Sequence, residues 1–225
     1  MFYNVVVNDW GETTYVPTTL GNVMLILLIA ALLAGAVLLA GRHRRQSRLS
    51  VRQLAFCAMT LALGTILSNF KLFSFPWGGS ITLLSMLVIC LPGYFFGPGA
   101  GLLTGVAYGV LQLLVDPYVL FPLQLVVDYL LAFGALGLSG LFTNAKHSLI
   151  KGYLTGVLGR YVFAVLSGWI FFGTYAWEGW PALPYSLVYN GIYIFAEAGI
   201  TLVILAIPAV HKMMGRLKMI ANEGK

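Results

Sequence analysis

Three ionisable residues, Asp128, Arg160 and Glu197, lie inside long apolar runs of this sequence. A charge at the centre of a membrane helix costs about 3 kcal/mol on insertion scales, so such residues usually mark a functional site or a buried ion pair. Arg160 and Glu197 fall near the middle of consecutive runs, which favours a structural pair; a proton relay is the alternative. Asp128, in LQLVVDYLLAF (residues 123–133), has no basic neighbour within a helical turn. Its carboxylate is therefore a candidate for binding a cation.

The segment TYAWEGWPALPYSLVYN (residues 174–190) concentrates aromatic rings with polar tips around one acid, Glu178. Its aromatic residues are Tyr175, Trp177, Trp180, Tyr185 and Tyr189. Amphipathic rings of this kind collect at the bilayer interface. They also form walls of pockets for flat, charged small molecules. Both interpretations remain open for this segment.

Candidates for catalysis are few. The histidines His43, His147 and His211 fall in predicted loops, so they offer no base or metal ligand within an apolar run. The glycines of GPGAGLLTG, Gly97, Gly99, Gly101 and Gly105, have a spacing that favours close helix packing over a nucleotide cradle. The sequence therefore predicts neither an enzyme nor a cofactor.

The composition places these residues in a membrane. Of 225 residues, 60% are hydrophobic and 9% are charged, and the mean hydropathy is +0.89. These values indicate an integral membrane protein. The net charge of +6 fits basic residues in cytoplasmic loops. Cys57 and Cys90 lie in apolar runs, where cysteine behaves as a small apolar side chain.

Seven apolar runs are predicted as helices, each long enough, or nearly so, to cross a hydrocarbon core of about 30 Å. They are Thr18–Ala40, Val51–Phe70, Ile81–Phe95, Gly99–Val115, Val119–Phe142, Leu149–Gly173 and Tyr185–Val210. Gly and Pro in LPGYFFGPGAG (residues 91–101) predict a tight turn between the third and fourth. We expect an all-α polytopic membrane helix bundle. Residues 1–50 would hold an extracellular N-terminus, an extra transmembrane helix and a basic loop, and residues 51–225 a six-helix membrane domain.

The distribution of Lys and Arg predicts the orientation. With seven helices, three basic clusters fall on one side: Arg42, Arg44, Arg45, Arg48 and Arg52; Lys146 and Lys151; and Lys212, Arg216, Lys218 and Lys225. Lys71 falls on the other side, with Asp9, Glu12, Asp116 and Glu178. We therefore expect the N-terminus outside the cell and the C-terminus in the cytoplasm of a multi-pass plasma-membrane protein.

Four segments carry a family resemblance. They are GGSITLLSM (78–86), GVAYGVLQLLVDPYVLFPLQLVVDYLLAFGALGLSGLF (105–142), LSGWIFFGTYAWEGW (166–180) and PYSLVYNGIYIFAEAGIT (184–201). In order and spacing the sequence resembles the thiamine-specific substrate-binding component (S component) of energy-coupling factor (ECF) transporters. The resemblance implies a six-helix domain with an outward-facing vitamin pocket. It also implies a membrane coupling subunit and two cytoplasmic ATPase subunits as partners.

The same resemblance implies the residues of the pocket. They are Asp128 and Tyr129, Tyr118 in DPYVL, Trp177 in YAWEGW, Tyr185 and Asn190 in YSLVYNG, and Trp77 as a lid aromatic. One position departs, because Ala164 occupies the place where the family commonly has a histidine. A polar contact to the ligand is therefore expected to be absent.

The physical chemistry of these residues agrees with such a ligand. Thiamine carries a cationic thiazolium ring and a flat aminopyrimidine. A cation in a dry pocket needs a carboxylate and electron-rich ring faces, which Asp128 and the Trp and Tyr residues would supply. The amide of Asn190 can both donate and accept at a ring edge.

Small residues on the first core helix bear on partners. In AFCAMTLAL (residues 55–63), Ala58 and Ala62 stand four apart, a spacing that allows another helix to approach closely. The resemblance implies docking of the coupling subunit there; packing inside the bundle is the alternative. The predicted function is a substrate-capturing subunit of an ECF-type transporter for thiamine or a related compound. A stand-alone ion-coupled transporter of a small cationic or aromatic solute is the alternative, with an intramembrane enzyme third.

Overall fold

The computed structural model describes residues 3–7, 13–20, 23, 27, 49–75, 79–116, 118 and 122–223. Most of the predicted helix Thr18–Ala40, the basic cluster at 42–48 and Trp77 lie outside the described residues.

Six helices form a bundle in the part of the chain that the structure describes. They are α1 Val51–Asn69, α2 Ser85–Phe96, α3 Pro98–Val115, α4 (residues 122–142), α5 Ser148–Phe171 and α6 Ala182–Ala206. All except α2 are long and apolar enough to cross a bilayer. The twelve residues of α2 span roughly 18 Å, and all of them are buried, so α2 is the central helix of the core. The predicted six-helix membrane core is confirmed.

Two short β-hairpins were not predicted. Strand β1 (Tyr3–Val7) pairs antiparallel with β2 (Thr13–Pro17). Strand β3 (Lys71–Ser74) pairs antiparallel with β4 (Ser80–Thr82). The predicted helix Ile81–Phe95 was therefore wrong at its start, because Ile81 and Thr82 belong to β4. Leu84 separates strand from helix with φ 60°.

The last predicted span, Tyr185–Val210, was wrong at both ends. Helix α6 begins three residues earlier and ends at Ala206, and a separate helix, α7, covers Pro208–Asn222. Pro208 has no N–H to continue the ladder and favours an extended residue before it. Ile207 has that conformation, with φ −68° and ψ 119°.

Helix α7 packs on the end of the bundle where α1 begins and α4 ends. The Lys218 ammonium donates to the carbonyl of Thr143 at 2.5 Å, and Arg52 lies 3.8 Å from Glu223. We call this the α7 end. We call the opposite end, where the β3–β4 hairpin lies, the hairpin end. There, Lys71 of β3 forms an ion pair with Asp116 at 2.8 Å.

The glycines near the α2–α3 turn have different structural roles. A Cβ at Gly101 would lie 2.6 Å from the carbonyl oxygen of Gly137, and one at Gly105 would lie 2.6 Å from that of Phe133. Close packing is thus confirmed at these two positions, both against α4. Gly97 forms the turn with φ 96°, whereas a Cβ at Gly99 would meet nothing within 4 Å.

Candidate functional site

A cavity of about 390 Å³ opens at the hairpin end of the bundle. The β3–β4 hairpin and helices α3, α4, α5 and α6 all contribute to its walls. Ligand pockets for small molecules typically have volumes of about 300–1,000 Å³. The cavity therefore has the size of a site for one small molecule.

Asp128 lines this cavity from an irregular part of α4. Residues Val126–Leu131 form a π-helical turn, a feature that often occurs at functional sites. The Gln124 amide donates to Asp128 Oδ2 at 2.9 Å and to the Tyr118 carbonyl at 2.8 Å. Among the described residues, no Lys, Arg or His nitrogen lies within 4 Å of the carboxylate. Asp128 is thus oriented by an amide, without a cation in contact.

Tyr129 and Tyr118 line the cavity on the α4 side. The Tyr129 hydroxyl accepts from the Tyr118 N–H at 2.7 Å and donates to the Asp116 carbonyl at 3.1 Å. The Tyr118 ring stacks on Phe172 with centroids 5.8 Å apart, and its hydroxyl donates to that of Tyr175 at 3.4 Å. Partial burial, together with Tyr175, raises the pKa of Tyr118 to about 12. The phenol therefore remains a neutral donor at physiological pH.

Helix α6 supplies an aromatic wall and an amide. Tyr185 and Tyr189 stack with centroids 5.3 Å apart, and Tyr193 follows one turn later. The Tyr193 hydroxyl donates to Asn190 Oδ1 at 2.6 Å, while Asn190 Nδ2 donates to the Ser186 carbonyl at 2.9 Å. Because these residues recur every three or four positions, they share one buried face of α6. This face lines the cavity.

The tryptophans of the 174–190 segment lie outside the cavity lining. Trp177 packs edge-on against Tyr185 at 5.2 Å and against Trp180 at 5.1 Å. Trp180 is 44% exposed. The segment therefore combines cavity-lining rings, such as Tyr175 and Tyr185, with an outer layer of tryptophan.

The predicted pair of Arg160 and Glu197 does not form. The Arg160 guanidinium lies over the Phe133 ring at 4.7 Å and lines the cavity. Glu197, 2% exposed, accepts hydrogen bonds from the β4 strand and the start of α2. The Glu197 carboxylate is therefore hydrogen-bonded to these four donors and not to the Arg160 guanidinium. The proton relay of the alternative function therefore lacks its contact as well.

The comparisons with known proteins agree with this architecture. A family model described as "Thiamine transporter protein" (Thia_YuaJ) matches residues 54–216, a range that includes nearly all of the bundle and the whole cavity wall. The chain belongs to the thiamine transporter protein family.

Named relatives support the assignment. Thiamine transporter ThiT of Bacillus subtilis (strain 168) is 34% identical over 178 residues, which cover 72% of this chain and 92% of that protein. Thiamine transporter ThiT of Lacticaseibacillus paracasei is 27% identical over 120 residues, or 46% of this chain and 60% of the relative. The solved structure of ThiT from Listeria monocytogenes superposes with a TM-score of 0.58 at 28% identity, covering 70% of this chain and 96% of that one.

Several cavity residues of this thiamine transporter family member were missed from the sequence. Gln124 stands one helical turn before Asp128, and Tyr193 stands one turn after Tyr189, so helical spacing could have indicated both. Phe172 and Arg160 gave no such signal: one is an ordinary apolar residue, and the other was assigned to an ion pair. Ala164, at the position where histidine was expected, lines the cavity.

The predicted docking face lies on the outside of the bundle. Ala55, Ala58 and Ala62 of α1 are exposed, as are Leu54 and Met59, which are 48% and 55% exposed. Within the six helices that the structure describes, these alanines are therefore not packed inside the bundle, which contradicts the alternative. This apolar face is therefore open to lipid or to another helix.

Proposed function

We propose that this chain is the substrate-capturing S component of an ECF-type transporter and that it binds thiamine or a close relative in the cavity at the hairpin end. One observation carries the proposal. Asp128 is a carboxylate that no Lys, Arg or His nitrogen of the described residues approaches within 4 Å, and it lies in a cavity whose walls are rich in tyrosine and phenylalanine. Arg160 also lines this cavity, but its guanidinium lies over the Phe133 ring. A cation with a flat ring satisfies both features, because it neutralises the acid and stacks on the rings.

We assign the ligand contacts to Asp128, Tyr118, Tyr129, Tyr185 and Asn190. Asp128 would neutralise the thiazolium, and Tyr118 and Tyr185 would contact ring faces. The Asn190 amide and the Tyr129 hydroxyl would meet polar edges of the ligand. Trp177 acts indirectly, through its contact with Tyr185, and Trp77 acts as a lid aromatic.

The transport cycle requires partners and an orientation. In the proposal, residues 51–225 form the substrate-binding domain, and Ala58 and Ala62 dock a membrane coupling subunit, which two cytoplasmic ATPase subunits drive. The N-terminus and the hairpin end face outwards, and the C-terminus is cytoplasmic. Exposure of the alanine face and the basic residues of α7 and of the loop at 143–147 support this arrangement.

Two measurements on the purified full-length protein test the proposal. Mass spectrometry of the small molecules that co-purify should identify thiamine or a thiamine relative. Calorimetric titration of ligand-depleted protein with thiamine should then give saturable binding of one molecule per chain. Absence of thiamine binding, together with saturable binding of an unrelated compound, would contradict the proposed function.

A further inference from the structure

Glu197 is a buried carboxylate with four donors around it. Its Oε2 accepts from the N–H of Thr82 at 3.2 Å and from the Thr82 hydroxyl at 2.6 Å. Its Oε1 accepts from the Ser85 hydroxyl at 3.2 Å and from the N–H of Met86 at 3.1 Å. Two of these donors are backbone groups, so the carboxylate fixes the main chain as well as side chains.

One of these contacts, at the N–H of Met86, reaches the N-terminus of α2. Its N-cap residue, Leu84, has no side chain that could accept a hydrogen bond, and none is made there. The first N–H groups of a helix need an acceptor, and a negative charge near them is favourable. Glu197, on a different helix, provides both to the N–H of Met86.

Glu197 ends a row of residues along α6 that holds the β3–β4 hairpin. Tyr189, Tyr193 and Glu197 are spaced four apart, on one helix face. Phe75 packs against Tyr189 at 5.7 Å between ring centroids. Gly79, with φ 73°, lies so close to Tyr193 that a Cβ would be 2.8 Å from its ring. Thr82 bonds to Glu197, so each part of the described hairpin is anchored to the next residue of the row.

The anchored residues belong to the cavity, but Glu197 does not. Phe75, Gly79, Thr82 and Ser85 line the cavity, whereas Glu197 lies behind them. We propose that Glu197 is a positioning residue, which holds strand β4 and the start of α2 in place as a wall of the binding cavity. This proposal rests on the proposed function for the identity of the ligand. The anchoring of β4 and α2 by Glu197 does not depend on it.

Glu197→Gln is the direct test. Glutamine keeps the size of the side chain, but its NH₂ group would face the hydrogen-bond donors of β4 and α2 and could not accept from them. In the ligand-free protein, we expect the amides of β4 and Met86 to exchange with deuterium about tenfold faster or more, while those in the middle of α3 stay unchanged. Thiamine should dissociate about tenfold faster or more. The matched control is Thr201→Val, which alters a buried residue one turn further along α6 and should change neither measurement.

A second pair of variants separates positioning from direct ligand contact. Thr82→Val removes one donor to Glu197, and Thr82→Ser retains it. In the wild-type background, we expect thiamine to dissociate about threefold faster or more from the valine variant, and the serine variant to restore the wild-type rate. In the Glu197→Gln background, the valine substitution should have little further effect. An equal effect in both backgrounds would mean that the Thr82 hydroxyl contacts the ligand directly, which overturns the proposal.

The two proposals fail in different ways. Unchanged exchange at β4 and Met86 in Glu197→Gln would overturn the role of Glu197, whatever the protein binds. Faster exchange with unchanged thiamine dissociation would overturn it too, because the wall would then not matter for the ligand. A wild-type protein that binds no thiamine, with faster exchange in Glu197→Gln, would refute the proposed ligand and leave the anchoring of the hairpin supported.

Discussion

Asp128 combines a local irregularity of the backbone with a proposed role in ligand binding. The π-helical turn at Val126–Leu131 interrupts the regular ladder of α4, and Gln124 holds one oxygen of the carboxylate. An amide can orient a carboxylate but cannot neutralise it. Arg160 lines the same cavity, but among the described residues no cationic nitrogen lies within 4 Å of the carboxylate. Without a ligand, the cavity must therefore hydrate or protonate this acid, and a bound cation would supply a counter-charge in direct contact.

Asp128→Asn isolates that charge, because asparagine keeps the size of the side chain and an acceptor for Gln124. Charge-assisted contacts are stronger than neutral ones, so the affinity for thiamine should fall on the order of tenfold to several hundredfold. The loss should be smaller for an uncharged analogue that lacks the thiazolium cation. Calorimetric titration of both ligands measures the difference, with Glu178→Gln as a control that removes an exposed acid outside the cavity lining. Equal losses for the two ligands would mean that Asp128 does not recognise charge.

The long apolar helices could be predicted from the sequence, whereas the elements that close the cavity could not. Helices α1, α3 and α5 begin and end within about two residues of their predicted bounds, because their apolar runs are continuous and end at polar or turn residues. The β3–β4 hairpin depends on contacts with Tyr189, Tyr193 and Glu197, which are more than a hundred residues away. Local propensity carries no signal for such contacts. The same limit explains why the sequence predicts an ion pair between Glu197 and Arg160, since both are charges at similar depth. Only the fold shows that the Glu197 carboxylate instead accepts hydrogen bonds from β4 and the start of α2.

The packing of α3 against α4 depends on glycine at defined positions. Gly105→Ala would place a Cβ 2.6 Å from the Phe133 carbonyl oxygen and 3.0 Å from Gly134 Cα. Backbone atoms cannot move aside as a flexible side chain can, so we expect a destabilisation of about 1–3 kcal/mol. The midpoint of thermal unfolding in detergent should fall on the order of 5 °C.

Gly99→Ala is the matched control, because it lies on the same helix and its Cβ would meet nothing within 4 Å. Alanine favours a helix over glycine, so this variant should be as stable as the wild type or slightly more so. A Gly105→Ala protein that unfolds at the same temperature as Gly99→Ala would contradict the close approach of α3 and α4.

The proposed function assigns two tasks to different surfaces of the bundle. The proposed binding cavity lies at the hairpin end, inside the bundle, and the alanine face of α1 lies outside it. Ala58→Trp should therefore leave thiamine binding to the isolated protein nearly unchanged, because the added ring points away from the cavity. Energised uptake in cells should fall to background, because bulk on this face would keep the coupling subunit away.

The control for that experiment should be an exposed residue. Thr65 of α1 is unsuitable, because it is partly buried and its hydroxyl donates to the Leu61 carbonyl. Leu158→Trp on α5 is better matched: Leu158 is 52% exposed, on a different helix of the same bundle. It should leave both binding and uptake intact. Loss of ligand binding in Ala58→Trp, with the partner subunits still co-purifying, would contradict docking at this face.

The charges at the two ends of the bundle give the last prediction, the orientation in the cell membrane. Lys146 lies in the loop next to α7, at the end that carries most of the described basic residues, and Glu178 lies at the hairpin end. Because cytoplasmic loops are enriched in Lys and Arg, cysteines at positions 146 and 45 should be shielded in intact cells, and a cysteine at 178 should be reached. The native Cys57 and Cys90 are only 7% and 1% exposed, so they should contribute little background. A membrane-impermeant maleimide applied to intact and to permeabilised cells distinguishes the cases. Labelling at 146 or 45 but not at 178 in intact cells would indicate the opposite orientation. The mouth of the cavity would then lie on the cytoplasmic side, where it could not capture an external ligand.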